Sequence, residues 1–154
     1  MPATFVHKLF GTFRMEVSKE ILNEIADSLQ SGFKCFIHRD TGEVVTYMDP
    51  DQFPNMDLKD WKEEISKVRK YKKKFIEIEG MNSSANFRIM EEFVDTLDNS
   101  STRIRLLTAL EGHKPFANFK IQIDNSGDYR ELWFSFQQQK TVEWVLNQLN
   151  LEIL

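Results

Sequence analysis

The spacing of apolar residues changes near Gly80, and this change restricts the fold more than any other feature of the chain. Before Gly80, residues 33–39, 43–48 and 75–79 form short runs rich in β-branched and aromatic residues, which predict strands. From residue 84 onward, apolar residues recur every three or four positions, which is the spacing of amphipathic helices. The sequence therefore predicts an α+β protein with a small antiparallel three-stranded sheet, about five or six helices and an all-helical C-terminal half.

The first two strands are predicted to form a hairpin. Asp40-Thr41-Gly42 lies between them and suits a three-residue loop in which Gly42 takes the left-handed conformation. This register places Arg39 opposite Glu43 as a favourable cross-strand pair. A helix at about residues 18–31 precedes the hairpin, and a second helix follows Asp57.

The C-terminal half is predicted to contain several helices packed on apolar stripes. One stripe runs from Phe87 to Leu97, and the next comprises Ile104, Leu107 and Leu110. Pro115 can open a further short helix, and a final helix or helix pair follows. The 154 residues fit a single domain, in which an α/β half (1–80) and a helical half (81–154) share one core.

Several classes of protein are excluded by what the chain lacks. No apolar run is long enough for a signal peptide or a membrane span, so a cytoplasmic protein without a membrane partner is expected. Cys35 is the only cysteine and lies in a predicted strand, where it should be an inert core residue. The six glycines form no phosphate-binding motif, and we expect no cofactor.

Aromatic spacing in the second half resembles that of a known family. The segments Pro115-Phe116-x-x-Phe119-Lys120 and Arg130-x-x-Trp133-Phe134-x-Phe136 are similar to motifs of a bacterial uncharacterised protein family, over roughly residues 75–150. The resemblance implies a small bacterial cytoplasmic protein. It implies no activity, substrate or catalytic residue.

Candidate catalytic and metal-binding residues are scattered. Asp40-Thr41-Gly42 spells the aspartic-protease triplet, but that chemistry needs two facing triplets, so the triplet is interpreted as a turn. The three histidines, His7, His38 and His113, lack the spacing of metal ligands on a helix, and the loop acids Asp49, Asp51 and Asp57 do not match an EF-hand. An enzyme with a site assembled from His38, Asp49 and Asp51 remains one alternative.

A basic run interrupts an otherwise acidic chain. Residues 62–74 contain seven Lys or Arg and two Glu, a local charge of +5, whereas the whole chain carries −4. The second part of this run is a possible surface patch for an anionic partner and comprises Arg69, Lys70, Tyr71, Lys72, Lys73 and Lys74. Tyr71 could stack on a base while the lysines meet phosphates. The alternative interpretation is a solvated helix end whose cations complement the helix dipole.

The C-terminal aromatic residues are the other candidate surface. They are numerous enough to suggest either core packing or an exposed groove for a partner segment, and they comprise Phe116, Phe119, Trp133, Phe134, Phe136 and Trp144. In the second case Trp133 would anchor the partner, with Lys120 and Arg130 at the rim. The favoured function is a non-catalytic binding or adaptor module that recognises a protein partner or a second copy of the chain. A nucleic-acid-associated protein that uses residues 69–74 is the other alternative.

Overall fold

The chain adopts the predicted class of fold and has one additional hairpin. The computed structural model describes residues 6–10, 13–98 and 100–153. In chain order, the elements are β1 Val6–Phe10, β2 Phe13–Val17, α1 Lys19–Gln30, β3 Phe33–His38, β4 Val44–Met48, a 3₁₀ helix Leu58–Trp61, α2 Lys62–Lys70, β5 Phe75–Ile78, α3 Ser83–Thr96, α4 Ser101–Glu111, α5 Pro115–Asp124 and α6 Tyr129–Ile153. The predicted three-stranded antiparallel sheet and helical C-terminal half are confirmed. The strands β1 and β2 form a separate two-stranded antiparallel sheet, which is an addition to the predicted elements.

The three-stranded sheet has the order β4–β3–β5, and both pairs are antiparallel. Gly42 closes the β3–β4 turn at a φ of 74°, in the left-handed region that favours glycine, as predicted. The predicted loop length is wrong by one residue, because the His38 N–H donates to the Glu43 carbonyl and so makes these two residues the opposed pair. Arg39 continues the pairing of β3 with β5 by donating its N–H to the Lys74 carbonyl.

The two faces of this sheet pack against different helices. One face contains Cys35 and packs against α1 and the C-terminal part of α6. The opposite face packs against Val68 of α2 and stacks Phe36 on Tyr47, with ring centroids 5.4 Å apart. Cys35 is fully buried, which confirms the prediction of a core residue, and burial raises the pKa of its thiol to about 12.

The helices after Gly80 enclose a second core. Phe93 and Val94 of α3 pack there with residues of α4, α5 and α6, as the apolar stripe of α3 predicts. The predicted stripe of α4 is wrong at two of its three positions, since Ile104 is 60% and Leu107 43% exposed. Helix α4 instead buries the face that contains Leu106, Ala109 and Leu110, because two of its faces are apolar and packing against α3 and α5 selects one of them.

The chain divides into two compact units. The sheet unit comprises the chain up to Gly80 together with the stretch from Val142 onward, and the helical unit runs from Met81 to Thr141. The final helix is a single element and contributes residues to both units. The single domain with one shared core stays a prediction. In the described part of the chain, no helix combines the length and apolar content needed to cross a bilayer.

Candidate functional site

The basic segment, residues 69–74, belongs to the sheet unit and connects the end of α2 with β5. All six side chains are exposed, including the Tyr71 ring at 47%. Arg69 and Lys70 lie in the last turn of α2, where cations stabilise the negative end of the helix dipole. The Lys70 ammonium lies 5.3 Å from the centroid of the Tyr71 ring. The segment therefore presents an aromatic ring among cations, as predicted for an anionic partner.

Carboxylates of the β3–β4 turn neutralise only part of this positive charge. Lys74 binds Asp40 at 2.9 Å, and Lys67, just before the segment, pairs with Glu43. Among the described residues, no carboxylate pairs with the four other cations of the segment, which are Arg69, Lys70, Lys72 and Lys73. The Asp-Thr-Gly triplet thus forms a turn whose aspartate is engaged in an ion pair, which is consistent with its interpretation as a turn.

Of the three predicted binding residues in the C-terminal half, Trp133 lies in the core, whereas Lys120 and Arg130 lie on the surface. Trp133 is 7% exposed and packs edge-on against Phe93 and Phe119, with ring centroids 5.3 and 4.9 Å away. Packing accounts for this tryptophan, and its ring is not available as a surface anchor. Lys120 and Arg130 are exposed, so their role at a binding rim stays a prediction.

Arg130 is nevertheless held in place by its neighbours. Its Nε donates to Asp124 at 3.2 Å, and its guanidinium lies 4.6 Å from the centroid of the Phe134 ring. Both side chains of the ion pair are nearly half exposed, so its contribution to stability is small. A second guanidinium nitrogen lies 3.7 Å from Glu131, so Arg130 is held by neighbours on α5 and α6 while 46% of its side chain stays exposed.

The remaining aromatic residues of the predicted set also differ in exposure. Phe119 is buried and Phe136 half-buried in the helical core, whereas Phe116 and Phe134 are 42% and 39% exposed. Trp144 lies in the sheet unit, where its indole N–H donates to the Glu79 carbonyl at 2.8 Å. Core packing therefore explains Phe119 and Phe136, whereas Phe116 and Phe134 keep a large part of their rings in solvent.

The scattered residues of the enzyme alternative stabilise turns. His38 Nδ1 accepts the N–H groups of Asp40 and Thr41 at 3.1 and 3.3 Å, and the Asp49 carboxylate accepts the N–H of Asp51 at 3.0 Å. The side chain of His7 lies outside the described part of the structure. Within that part, no group of three or more His, Cys, Asp or Glu side chains could hold a metal ion.

The helical unit contains a groove in which Phe116 is the one member of the predicted aromatic set. Two cavities of about 390 and 300 Å³ open beside α3, and Phe87 and Glu91 line both of them, so they adjoin. We call this feature the acidic groove. Its floor is apolar and its rim carries carboxylates: the floor comprises Phe87, Leu107, Leu110 and Phe116, and the rim comprises Glu91, Asp95 and Glu111.

Helical spacing explains how these side chains meet. Phe87, Glu91 and Asp95 are four residues apart on α3 and form a single stripe. Leu107, Leu110 and Glu111 form the facing stripe on α4. At one end, the Phe116 ring approaches Phe87 edge-on with centroids 6.3 Å apart. Phe116 follows Pro115, which begins α5 after a left-handed residue at Lys114 and so places the ring against α3.

The charge of this groove is not neutralised locally. Glu91, Asp95 and Glu111 are exposed, and no Lys or Arg pairs with them among the residues that the structure describes. Arg88 is the one basic residue of the lining and lies in the cavity that contains Phe116. The groove therefore combines an open apolar floor with carboxylates that retain their capacity to bind cations.

The sequence contained a partial signal for this groove. Acidic residues at Glu91 and Asp95 continue the helical stripe that begins with Phe87, which marks one side of α3 as apolar at one end and charged at the other. The contribution of α4 could not be predicted, because Leu107 was assigned to the core.

Comparison with known proteins identifies a family. No curated protein and no solved structure matches the chain. The family described as "Uncharacterised protein family (UPF0158)" matches residues 14–154. The match is longer than the segment that resembled an uncharacterised family from aromatic spacing, since it includes the strands and helices of the sheet unit. The chain therefore belongs to the uncharacterised protein family UPF0158.

Proposed function

We propose that this protein is a non-catalytic binding or adaptor module of the bacterial cytoplasm, and that the acidic groove docks a segment of a partner protein. One observation carries the proposal: an apolar floor is open to solvent beneath carboxylates that have no cationic partner among the described residues. Leu107 and Phe116 stay 43% and 42% exposed, although both flank a well-packed core. Apolar patches with polar rims are typical of interaction sites.

The shape and charge of the groove favour a basic amphipathic helix as its occupant. A groove between two helices accepts the apolar face of a third helix, with anchors at positions i, i+3, i+4 and i+7. The stripe from Phe87 to Asp95 spans nine residues, or about 12 Å along the axis, which matches two helical turns. Lysines or arginines beside the anchors would pair with Glu91 and Glu111. A basic partner helix is thus complementary in both apolar area and charge.

The proposed cytoplasmic setting is supported by the state of the single cysteine. Cys35 is a free, buried thiol, so the fold uses no intrachain disulfide. Proteins that work in oxidising compartments commonly rely on such bridges for stability.

A charge-reversed pair of peptides tests the proposed function. One synthetic amphipathic helix carries leucines at the anchor positions and lysines elsewhere, and its counterpart replaces every lysine with glutamate. Fluorescence anisotropy measures the binding of each peptide to the wild-type chain, to Leu107→Asp and to Ile104→Asp. Ile104 is the matched control, because it is an exposed apolar residue of the same helix that lines neither cavity.

We expect the lysine peptide to bind the wild-type chain and Ile104→Asp with equal affinity, and to bind Leu107→Asp at least about tenfold more weakly. The glutamate peptide should not bind. Equal binding of the two peptides, or equal loss in the two variants, would contradict docking in the acidic groove. A groove filled by a second copy of the chain would appear as a dimer that dissociates in Leu107→Asp alone.

A second candidate function is favoured by the exposure of the basic segment. Six consecutive exposed residues, with four cations that lack carboxylate partners in the described chain, suit a single-stranded nucleic acid. The test is retention of a labelled single-stranded oligonucleotide by the wild-type chain and by Lys72→Glu with Lys73→Glu. Binding that falls steeply with salt and is lost in this double variant would support the candidate.

The matched control for the segment is Lys59→Glu with Lys62→Glu. These exposed lysines precede α2 or begin it, so the same change in net charge is made outside the segment. If both double variants lose the oligonucleotide equally, net charge explains retention and the segment is not a specific site.

A further inference from the structure

A cleft in the sheet unit runs along the free edge of the three-stranded sheet. Its volume is about 400 Å³, and the consecutive residues Glu43, Val44, Val45 and Thr46 line one side. Side chains of successive strand residues point to opposite faces of a sheet. A cavity that touches four in a row must therefore follow the edge of β4 instead of either face. The strand order β4–β3–β5 places this edge outside the sheet.

The backbone of β4 presents unpaired groups to this cleft. The His38 N–H bonds to the Glu43 carbonyl, whereas the N–H of the next residue, Arg39, bonds to the Lys74 carbonyl beside β5. The backbone N–H and C=O groups of even-numbered β3 residues therefore point towards β4. Hydrogen-bonded and non-hydrogen-bonded pairs alternate along an antiparallel ladder. Val45 and Tyr47, which lie opposite Phe36 and Lys34, therefore bond to β3, and the alternate residues Val44 and Thr46 do not. The N–H and C=O groups of Val44 and Thr46 therefore point out of the sheet. Among the described residues, no backbone group pairs with them.

The opposite wall of the cleft is ordered and acidic. Trp61 packs edge-on against Phe33 with ring centroids 5.6 Å apart, which fixes one end. Lys67 pairs with Glu43 at the other end. Glu63 and Glu64 complete the wall, and neither has an ion-pair partner in the described part of the chain. The cleft thus offers backbone hydrogen-bonding groups on one side and net negative charge on the other.

We propose that this cleft binds an extended, basic segment of another protein as a fourth strand beside β4. Main-chain hydrogen bonds to Val44 and Thr46 would supply affinity, as they do when a peptide extends a sheet. Lysine or arginine side chains of the segment would meet Glu63 and Glu64. A second copy of the chain is a poorer occupant, because edge-to-edge pairing would bring the same carboxylates towards each other. The site lies outside the acidic groove and does not depend on the proposed function.

Two alternating peptides and one proline substitution test this proposal. The probes are a short peptide that alternates valine with lysine and its counterpart that alternates valine with glutamate. Thr46→Pro removes the outward N–H of β4, at an edge position where proline is compatible with the sheet. The matched control is Thr46→Val, which keeps the N–H and the side-chain shape. Thermal unfolding of both variants reports whether they retain the fold.

Amide hydrogen exchange gives a second measurement that needs no variant. In the free chain, the amides of Val44 and Thr46 should exchange fast and those of Val45 and Tyr47 slowly. The lysine peptide should slow exchange at Val44 and Thr46. It should also bind Thr46→Val like the wild-type chain and Thr46→Pro about tenfold more weakly, since a backbone hydrogen bond is lost.

Three results would overturn the proposal. The first is equal affinity of the lysine and glutamate peptides, and the second is unchanged exchange at Val44 and Thr46 under saturating lysine peptide. The third is that, in the absence of peptide, the protection of these two amides rises with protein concentration, because the occupant would then be a second copy. If the helical peptide failed to bind the acidic groove, none of these measurements at β4 would change. The proposal for the cleft and the proposal for the groove can therefore fail separately.

Discussion

The acidic groove and the basic segment carry opposite charge, and they differ in what lies beneath that charge. Under the groove, Phe87 and Leu110 belong to the packed core of the helical unit. The segment comprises the solvated end of α2 and the turn that follows it, and its Lys74, like Lys67 just before it, is paired with the β3–β4 turn. Charge above an apolar floor selects partners by shape, whereas charge on a turn gives attraction that salt weakens. The comparison therefore favours the groove over the segment as the site of the proposed docking.

The first prediction concerns the core that supports the groove. Trp133→Ala should lower the free energy of unfolding by about 3–5 kcal/mol, because it removes a ring packed between Phe93 and Phe119. Phe134→Ala is the control, since its ring is 39% exposed, and should cost about 1 kcal/mol or less. Denaturant unfolding measures both. Equal losses would contradict the distinction between buried and exposed aromatic residues of α6.

The second prediction separates the groove from exposed aromatic surface in general. Phe116→Ala should weaken binding of the lysine helical peptide by about thirtyfold, as expected for an aromatic anchor in an interface. Phe134 has nearly the same exposure and lies outside the groove, so Phe134→Ala should leave the affinity unchanged. Titration calorimetry provides the measurement. A similar loss in both variants would show that the peptide binds apolar surface without regard to the groove.

The third prediction removes the charge of the rim and keeps its shape. Combining Glu91→Gln, Asp95→Asn and Glu111→Gln should lower the affinity for the lysine helical peptide by about tenfold at low salt. The difference from the wild-type chain should shrink as salt is added, because screening weakens exposed ion pairs. Asp98→Asn with Asp128→Asn is a control outside the groove. An undiminished loss at high salt would contradict an electrostatic role for the rim.

The fourth prediction is the smallest and concerns the basic segment. Lys72→Glu with Lys73→Glu should change the free energy of unfolding by less than about 0.5 kcal/mol, because both side chains are solvated. Binding of the lysine helical peptide should also be unchanged. Thermal unfolding and anisotropy measure the two quantities on the same samples. A large loss of stability would show that the segment has a packing role, which its exposure argues against.

Local signals in the sequence were sufficient for much of the fold. The left-handed Gly42 turn and the first helical turn at Pro115 depend on nearby residues, and both are present. The β3–β4 register was wrong by one residue, because the strand after Lys74 competes for Arg39: the Arg39 N–H bonds to the Lys74 carbonyl, and His38 pairs with Glu43 in its place. That competition involves Lys74, far away in the sequence.

The candidate site was less predictable than the fold. Helix α4 has two apolar faces, so only its packing decides that Leu106 is buried and Leu107 is open. Trp133 was predicted as a surface anchor for a partner and is buried instead. A tryptophan on a helix has the same sequence pattern in either role. The unpaired state of Glu91 could not be predicted either, because it depends on which cations the folded chain brings near it.

Chemical-shift mapping of the labelled chain with the lysine helical peptide locates the bound peptide residue by residue. We expect saturable shifts to cluster on the floor and rim of the acidic groove, at Phe87, Glu91, Leu107 and Phe116. Ile104 should stay unchanged although it is on the same helix as Leu107. Shifts that centre instead on Arg130 and Phe134, or that spread over the surface without saturating, would contradict docking in the groove.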